Sequence, residues 1–168
     1  MAELLSPLAT VLVLLPALVA NGSPVLLRGR GHPLDMGRRF VDGRPLLGKG
    51  KTFEGLALGT LNGATIAYLL SALAGNLLLF YAGAIASFAA LLGDIAAAFI
   101  KRRLGLRRGA PAPLLDQLDF YAGALLGLYV AGYIVHPLTA AAMALPVAFI
   151  HRLTNKAAHM LGLKDVPW

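Results

Sequence analysis

The fold is decided by the stretch NLLLFYAGAIASFAALLGDIAAAFIKRRLGLRRGAPAPLLDQLD, residues 76–119. It starts with an apolar segment in which Asp94 is the one charged residue, and a charged gap follows from Lys101 onward. A bilayer penalises a charged side chain near its centre by about 2.5 kcal/mol or more. A carboxylate retained in such a segment therefore predicts a functional site inside a membrane helix.

Five apolar segments, of which this is the third, make up most of the chain. Soluble domains are about 45–50% apolar and about 25% charged, whereas this chain is 58% hydrophobic and 14% charged. About 20 mostly apolar residues cross a bilayer as a helix. The first three segments reach or approach that length, and the fourth reaches it if Asp116 begins its helix. The fifth is short but can continue as an amphipathic helix through Arg152 and Lys156. The sequence predicts an all-α, polytopic integral membrane protein, residues 1–168 forming a single domain, with five transmembrane helices at residues 4–20, 56–73, 76–100, 120–135 and 138–150.

The positions of the basic residues predict how these helices cross the membrane. All 15 Lys and Arg residues fall after the first, third or fifth segment. Five crossings place all of them on one side, which the positive-inside rule assigns to the cytoplasm. We therefore expect a multi-pass cell-membrane protein with its N-terminus outside. The C-terminus and two long functional loops, residues 28–52 and 101–115, are expected in the cytoplasm.

Charge and cysteine content exclude several classes of site. The chain has no cysteine, so neither a disulfide scaffold nor a thiolate metal site is possible. Its net charge of +7 suits cytoplasmic loops near anionic membrane lipids, or a polyanionic substrate. We expect no nucleic-acid partner.

Two further carboxylates border the charged gap. Asp116 and Asp119 are three residues apart at the predicted start of the fourth helix, so they share one helix face. Either could be a helix cap or a partner of the helix dipole, and Asp94 could belong to a structural ion pair. Together, however, three hard carboxylates beside Lys101 and Arg102 are typical of a site for Mg²⁺ and phosphate.

Glycines recur every four residues on two of the predicted helices. Gly55, Gly59 and Gly63 do so on the second, and Gly123 and Gly127 on the fourth. Small residues at this spacing let helices approach closely in lipid. We interpret both stripes as packing surfaces.

The first loop ends in Gly48-Lys49-Gly50-Lys51-Thr52. Together with Gly43 it imitates a P-loop, but Gly50 stands where a P-loop has Ser or Thr for Mg²⁺ and no strand precedes it. A glycine-rich segment before a helix can still offer backbone N–H groups to an anion. We interpret it as a phosphate-binding loop, with a flexible basic loop as the alternative.

Several motifs, in order along nearly the whole chain, closely resemble the archaeal CDP-archaeol synthases. They are residues 35–44, 47–55, 93–105, 116–120 and 161–168. A more distant similarity is to the CDP-diacylglycerol synthases. The resemblance implies that CTP and an unsaturated diether glycerol phosphate react to give the CDP-activated lipid and pyrophosphate.

The resemblance also implies roles for particular residues. Asp94, Asp116 and Asp119 would be Mg²⁺ ligands and, with Lys101, catalytic residues. The nucleotide and the lipid phosphate would be bound by Gly50, Lys51, Thr52, Lys101 and Arg102.

Two alternatives stand beside this hypothesis. An ion- or proton-coupled transporter could use Asp94 as its intramembrane carboxylate, although the chain has no internal repeat and its charges gather at one membrane face. A CDP-alcohol phosphotransferase needs Gly after the second Asp of its motif, whereas Phe120 follows Asp119 here.

Overall fold

The computed structural model describes residues 3–167 as a bundle of five α-helices with one short strand pair. The chain starts with strand β1 (Glu3–Leu4), helix α1 (Pro7–Gly22) and a 3₁₀ turn (Ser23–Leu27). After the first loop come α2 (Phe53–Ala74) and α3 (Leu77–Arg103). After the second loop come α4 (Leu115–Val130), strand β2 (Tyr133–Ile134) and α5 (Pro137–Met160).

Local sequence explains several helix ends. The Ser6 hydroxyl accepts a hydrogen bond from the Ala9 N–H before Pro7 begins α1, and Asn76 likewise accepts from the Leu78 N–H at the start of α3. Gly75, with φ of +63°, ends α2 in the left-handed conformation that glycine adopts most easily. These caps lie at the helix ends that the apolar segments predict.

α3 lies at the centre of the bundle and packs against α1, α2 and α4. Its buried face consists mainly of small residues, such as Ala82, Ala86 and Ala90, and Phe120 and Leu128 of α4 complete the core around it. α5 is held more loosely. Of its 24 residues, Ala140, Val147 and Ala158 are buried.

The glycine stripes are packing surfaces, as predicted. A Cβ on Gly59 would lie 2.7 Å from the Ala20 carbonyl oxygen, and one on Gly63 would lie 2.4 Å from Ser87 Oγ. A Cβ on Gly127 would lie 2.2 Å from that of Ala89. The absence of side chains at these positions therefore brings α2 and α4 onto their neighbours.

The structure modifies two predictions about the helices. The all-α prediction misses β1 and β2, which pair in parallel, Glu3 with Tyr133 and Leu4 with Ile134. The expected helix over residues 120–135 instead ends at Val130, because Gly132 has φ of +88° and β2 follows it.

Within residues 3–167, three helical segments are long and apolar enough to span a membrane: Pro7–Leu27, Phe53–Ala74 and Leu77–Arg103. At about 1.5 Å per residue, the 16 residues of α4 span about 24 Å, less than the ~30 Å of hydrocarbon. α5 is longer but carries basic residues in its second half. The structure thus has the five predicted helices, and three of them meet the criteria for a membrane span.

Candidate functional site

Two ion pairs join the predicted site residues at one end of the bundle. Lys51 Nζ, just before α2, contacts Asp94 Oδ2 on α3. Lys101 Nζ, in the last turns of α3, contacts Asp116 Oδ1 at the start of α4. All four side chains are partly buried. The structure thus brings together charged residues that the sequence separates by up to 65 positions.

Asp119 reaches the same region because α3 and α4 are in close contact. A Cβ on Gly93 would lie 2.4 Å from the Asp119 carbonyl oxygen and 2.9 Å from Gly123 Cα. Only glycine permits this approach, so Asp94, the neighbour of Gly93, lies beside Asp119. The Asp119 carboxylate accepts a 2.6 Å hydrogen bond from the Phe120 N–H and interacts electrostatically with Asp94, Lys51 and Lys101.

A buried carboxylate organises the first loop. Asp35 is 4% exposed and accepts hydrogen bonds from the N–H groups of Gly37, Leu47 and Gly48 at 3.0, 2.9 and 2.8 Å. Burial alone would raise the pKa of Asp35, but the backbone hydrogen bonds outweigh burial and lower it below 3.8. A charged Asp35 therefore fixes residues 47 and 48 immediately before Gly50 and Lys51.

Gly50 and Thr52 have different positions in this loop. Gly50 is exposed, and a Cβ placed on it would lie 3.6 Å from Arg108 Nε. Thr52 is buried, and its hydroxyl accepts a 3.0 Å hydrogen bond from the Gly55 N–H as the cap of α2. Nucleotide binding by both stays a prediction, and the observed role of the Thr52 hydroxyl is to start the helix.

Arg103 attaches the first loop to the end of α3. Its guanidinium donates to Asp42 at 2.6 Å and to the Pro45 carbonyl at 2.5 Å. It also lies over the rings of Phe40 and Phe99, 4.7 and 4.9 Å from their centroids. These contacts give Arg103 a structural role, because they hold the first loop against α3. Its neighbours differ, since Lys101 contacts Asp116 and Arg102 lines a cleft.

Two clefts open at this end of the bundle. The larger has a volume of about 550 Å³, and basic side chains dominate its lining. The smaller, of about 360 Å³, lies where the second loop, α4, α5 and the C-terminal segment (residues 161–167) meet. Asp116 lines it. Lys101 contacts Asp116, whereas the adjacent Arg102 lines the larger cleft. The basic residues lining the larger cleft are Arg39, Arg44, Lys49, Arg102, Arg107 and Arg108.

The carboxylates offer the oxygen ligands that Mg²⁺ prefers. Asp116 Oδ1 is buried and, among the described residues, accepts no hydrogen bond of ordinary geometry, although Lys101 neutralises it. Such an atom suits a cation. No three acidic or histidine side chains between residues 3 and 167 already form a metal site. The oxygen donors of the carboxylates suit a hard divalent cation by their chemistry, and the ligand roles of Asp94, Asp116 and Asp119 stay predictions.

Sequence reasoning missed two residues near this site. His151 of α5 stacks on Phe120, with ring centroids 5.3 Å apart, and its Nδ1 lies 3.3 Å from Asn21 Nδ2. It interacts electrostatically with Asp94 and with Lys164. His151 has no metal-ligand spacing to another histidine, so the sequence gives little signal for it.

Lys164 lies in the C-terminal segment, which folds back beside the site. Its carbonyl is 2.9 Å from His159 Nδ1. Burial lowers the pKa of Lys164, and the charge of Asp116 opposes that shift. The segment also contacts the second loop, since a Cβ on Gly109 would lie 3.8 Å from Val166 Cγ1. The motif at residues 161–168 therefore borders the site, although Trp168 lies outside the described residues.

Three comparisons with known proteins each match all or nearly all of the chain. The model of the family described as CarS-like, CDP-archaeol synthase, matches residues 1–168. A CDP-archaeol synthase of Hyperthermus butylicus is 61% identical over 168 residues, covering 100% of both chains. One from Aeropyrum pernix is 47% identical over 161 residues, covering 96% of this chain and 92% of the relative. A solved structure, described as giving insight into an intramembrane enzyme for archaeal membrane lipids biosynthesis, has a TM-score of 0.82 at 44% identity. It covers 91% of this chain and 96% of its own.

Proposed function

The chain belongs to the CDP-archaeol synthase family, and from this we infer that it transfers CMP from CTP to the phosphate of an archaeal lipid. It is a membrane enzyme, a CTP-dependent cytidylyltransferase of archaeal lipid synthesis. The acceptor is an unsaturated diether glycerol phosphate, and the products are CDP-archaeol and pyrophosphate. A transporter has no support from these relatives.

The reaction is a direct phosphoryl displacement. An oxygen of the lipid phosphate attacks the α-phosphorus of CTP, a new P–O bond forms, and the bond from that phosphorus to the β-phosphate oxygen breaks to release pyrophosphate. The lipid phosphate is already a nucleophile and pyrophosphate is already a leaving group. The protein therefore contributes positioning and charge neutralisation. No protein nucleophile is needed, which is consistent with a chain that has no cysteine.

The observation that carries this mechanism is the pair of lysine–carboxylate contacts at the end of the bundle where the two clefts open. Lys51 and Lys101 neutralise Asp94 and Asp116. When phosphates bind, the two ammonium groups and Arg102 would hold them. Arg102 lines the larger cleft, and Lys101 contacts Asp116, which lines the smaller one. Lys51 lies two residues after Lys49 of the larger cleft. Asp94, Asp116 and Asp119 would then hold Mg²⁺, which supplies further neutralisation of phosphate oxygens.

We also propose five membrane crossings, with the N-terminus outside and the clefts in the cytoplasm. In support, the two loops and the C-terminal segment contact one another at one end of the bundle. β1 and β2 lie at the other end, at the start of α1 and the end of α4. All lysines and arginines thus belong to the end that the positive-inside rule assigns to the cytoplasm.

Incubation of the purified protein with labelled CTP, Mg²⁺ and a diether glycerol phosphate tests the activity. We expect labelled CDP-lipid and one pyrophosphate for each lipid consumed. A diester glycerol phosphate in a parallel reaction measures how strictly the diether is selected. Absence of CDP-lipid with either acceptor would contradict the proposed function.

A further inference from the structure

We propose that the smaller cleft binds the acceptor lipid, and that Arg152 and Lys156 of α5 hold its phosphate. This inference rests on the proposed function and assigns one of the two substrates to a place. The cleft is lined by Pro111, Pro113, Asp116, Gln117, Arg152, Lys156 and Pro167.

Charge and polarity distinguish the two clefts. The larger is surrounded by six basic side chains and suits the several negative charges of a nucleotide triphosphate. The smaller has fewer cations, and three of its lining residues are prolines. A group with one phosphate and an apolar body complements this lining better than a triphosphate does.

The smaller cleft also borders two of the proposed catalytic residues, Asp116 and Lys101. Asp116 lines it and contacts Lys101, while the next residue, Arg102, lines the larger cleft. A phosphate in the smaller cleft and a triphosphate in the larger one would therefore meet at Lys101 and Arg102. Direct transfer requires such a junction, because the attacking oxygen must come within about 3–3.5 Å of the phosphorus.

One stripe along a face of α5 presents apolar residues followed by basic residues, which complements the apolar chains and the phosphate of a phospholipid. Leu145, Phe149, Arg152 and Lys156 follow one another at spacings of three or four residues, so they share a helix face. Leu145 and Phe149 are 80% and 68% exposed, and the two basic residues end the stripe on the side of the cleft. A lipid lying along this stripe would place its chains on the apolar pair and its phosphate on the basic pair. α5 is loosely packed, which leaves this face open to a ligand.

The variants Arg152→Gln and Lys156→Gln test the assignment through two separate Michaelis constants. Initial rates are measured with the lipid phosphate varied at saturating CTP, and then with CTP varied at saturating lipid. We expect each variant to raise the KM for lipid about tenfold, since a hydrogen bond to a charged group is lost. The KM for CTP should change less than about twofold. Arg152→Lys, which keeps the charge, should recover part of the loss.

Two controls exclude simpler explanations. Arg38→Gln removes one exposed charge from the same end of the molecule but lines neither cleft, so it should leave both constants unchanged. A short-chain diether glycerol phosphate that dissolves in water separates phosphate binding from anchoring to a bilayer. Its KM should rise in the two Gln variants, whereas Phe149→Ala should raise the KM for the long-chain lipid only.

Failure of the lipid site and failure of the proposed function give different results in these measurements. An unchanged KM for lipid in Arg152→Gln and Lys156→Gln, or equal increases for lipid and CTP, would overturn it. So would an increase confined to the long-chain lipid in the Gln variants, which would assign the two residues to bilayer anchoring. If the wild-type protein makes no CDP-lipid, the proposed function itself fails.

Discussion

Gly93→Ala tests whether the contact between α3 and α4 positions the carboxylates. The added Cβ would lie 2.4 Å from the Asp119 carbonyl oxygen, and an ordinary contact begins at 3.4 Å. α4 must therefore move away from α3 by about 1 Å. A displacement of that size at reacting groups can reduce a rate about a hundredfold. We expect a loss of that order in CDP-lipid formation.

Stability should change much less than activity. Overpacking costs about 1–3 kcal/mol, while Ala in place of Gly in a helix recovers about 1 kcal/mol. The net loss of unfolding free energy should thus be about 0–2 kcal/mol, measured by thermal unfolding in detergent. Gly22→Ala is the matched control, because a Cβ there meets no atom within 4 Å. Gly93→Ala with wild-type turnover would show that the helix contact does not position the site.

Four further predictions concern the carboxylates, the topology and the base. Asp119→Asn should purify as a folded protein, yet lose about a hundredfold or more in turnover at saturating Mg²⁺, because the charge that would hold the ion is removed; near-normal turnover would remove Asp119 from the site. The lowered pKa of Asp35 means that its stabilisation of the first loop is complete above pH 3.8 and is lost only as the pH falls through the lower folded value. Hydrogen exchange of Leu47 and Gly48, corrected for the intrinsic rate, should thus be constant from pH 7 to 5 and faster in Asp35→Asn; a change in protection over that range would contradict the ionised carboxylate. Reporter fusions at Gly75 and after the C-terminus should lie on opposite sides of the membrane, and a shared location would refute five crossings. The family further implies CTP in preference to ATP and GTP, which equal product from all four nucleotides would exclude.

Helix positions could be predicted from the sequence because they follow from apolar segments and caps. The prediction that the fifth segment continues past Ile150 as an amphipathic helix is confirmed, since α5 extends to Met160. The end of α4 was predicted wrongly, because Tyr133 and Ile134 are apolar in a strand as well as in a helix. Two strands of two residues each have no periodicity that a sequence pattern could reveal.

The candidate site residues could be selected by type from the sequence, but the ion pairs between them could not be predicted. Charge at a membrane boundary indicated Asp94, Lys101 and Asp116 individually. That Lys51 contacts Asp94 depends on how the first loop folds over α3, which is fixed by Asp35 and Arg103 through contacts distant in sequence. For the same reason, the positions of His151 and Lys164 beside the site required the structure.

The pairing of β1 with β2 has a consequence for biogenesis. Glu3 is synthesised 130 residues before its partner Tyr133, which is therefore made roughly ten seconds later at about 5–20 residues per second. α1, α2 and α3 can pack together in that interval, while Asp116 and Asp119 arrive only with α4. A nascent chain thus carries Asp94 beside Lys51 without the other two carboxylates. We expect the chain to enter the bilayer in a form that cannot yet bind its substrates, and to become competent only when α4 and the last strand are in place.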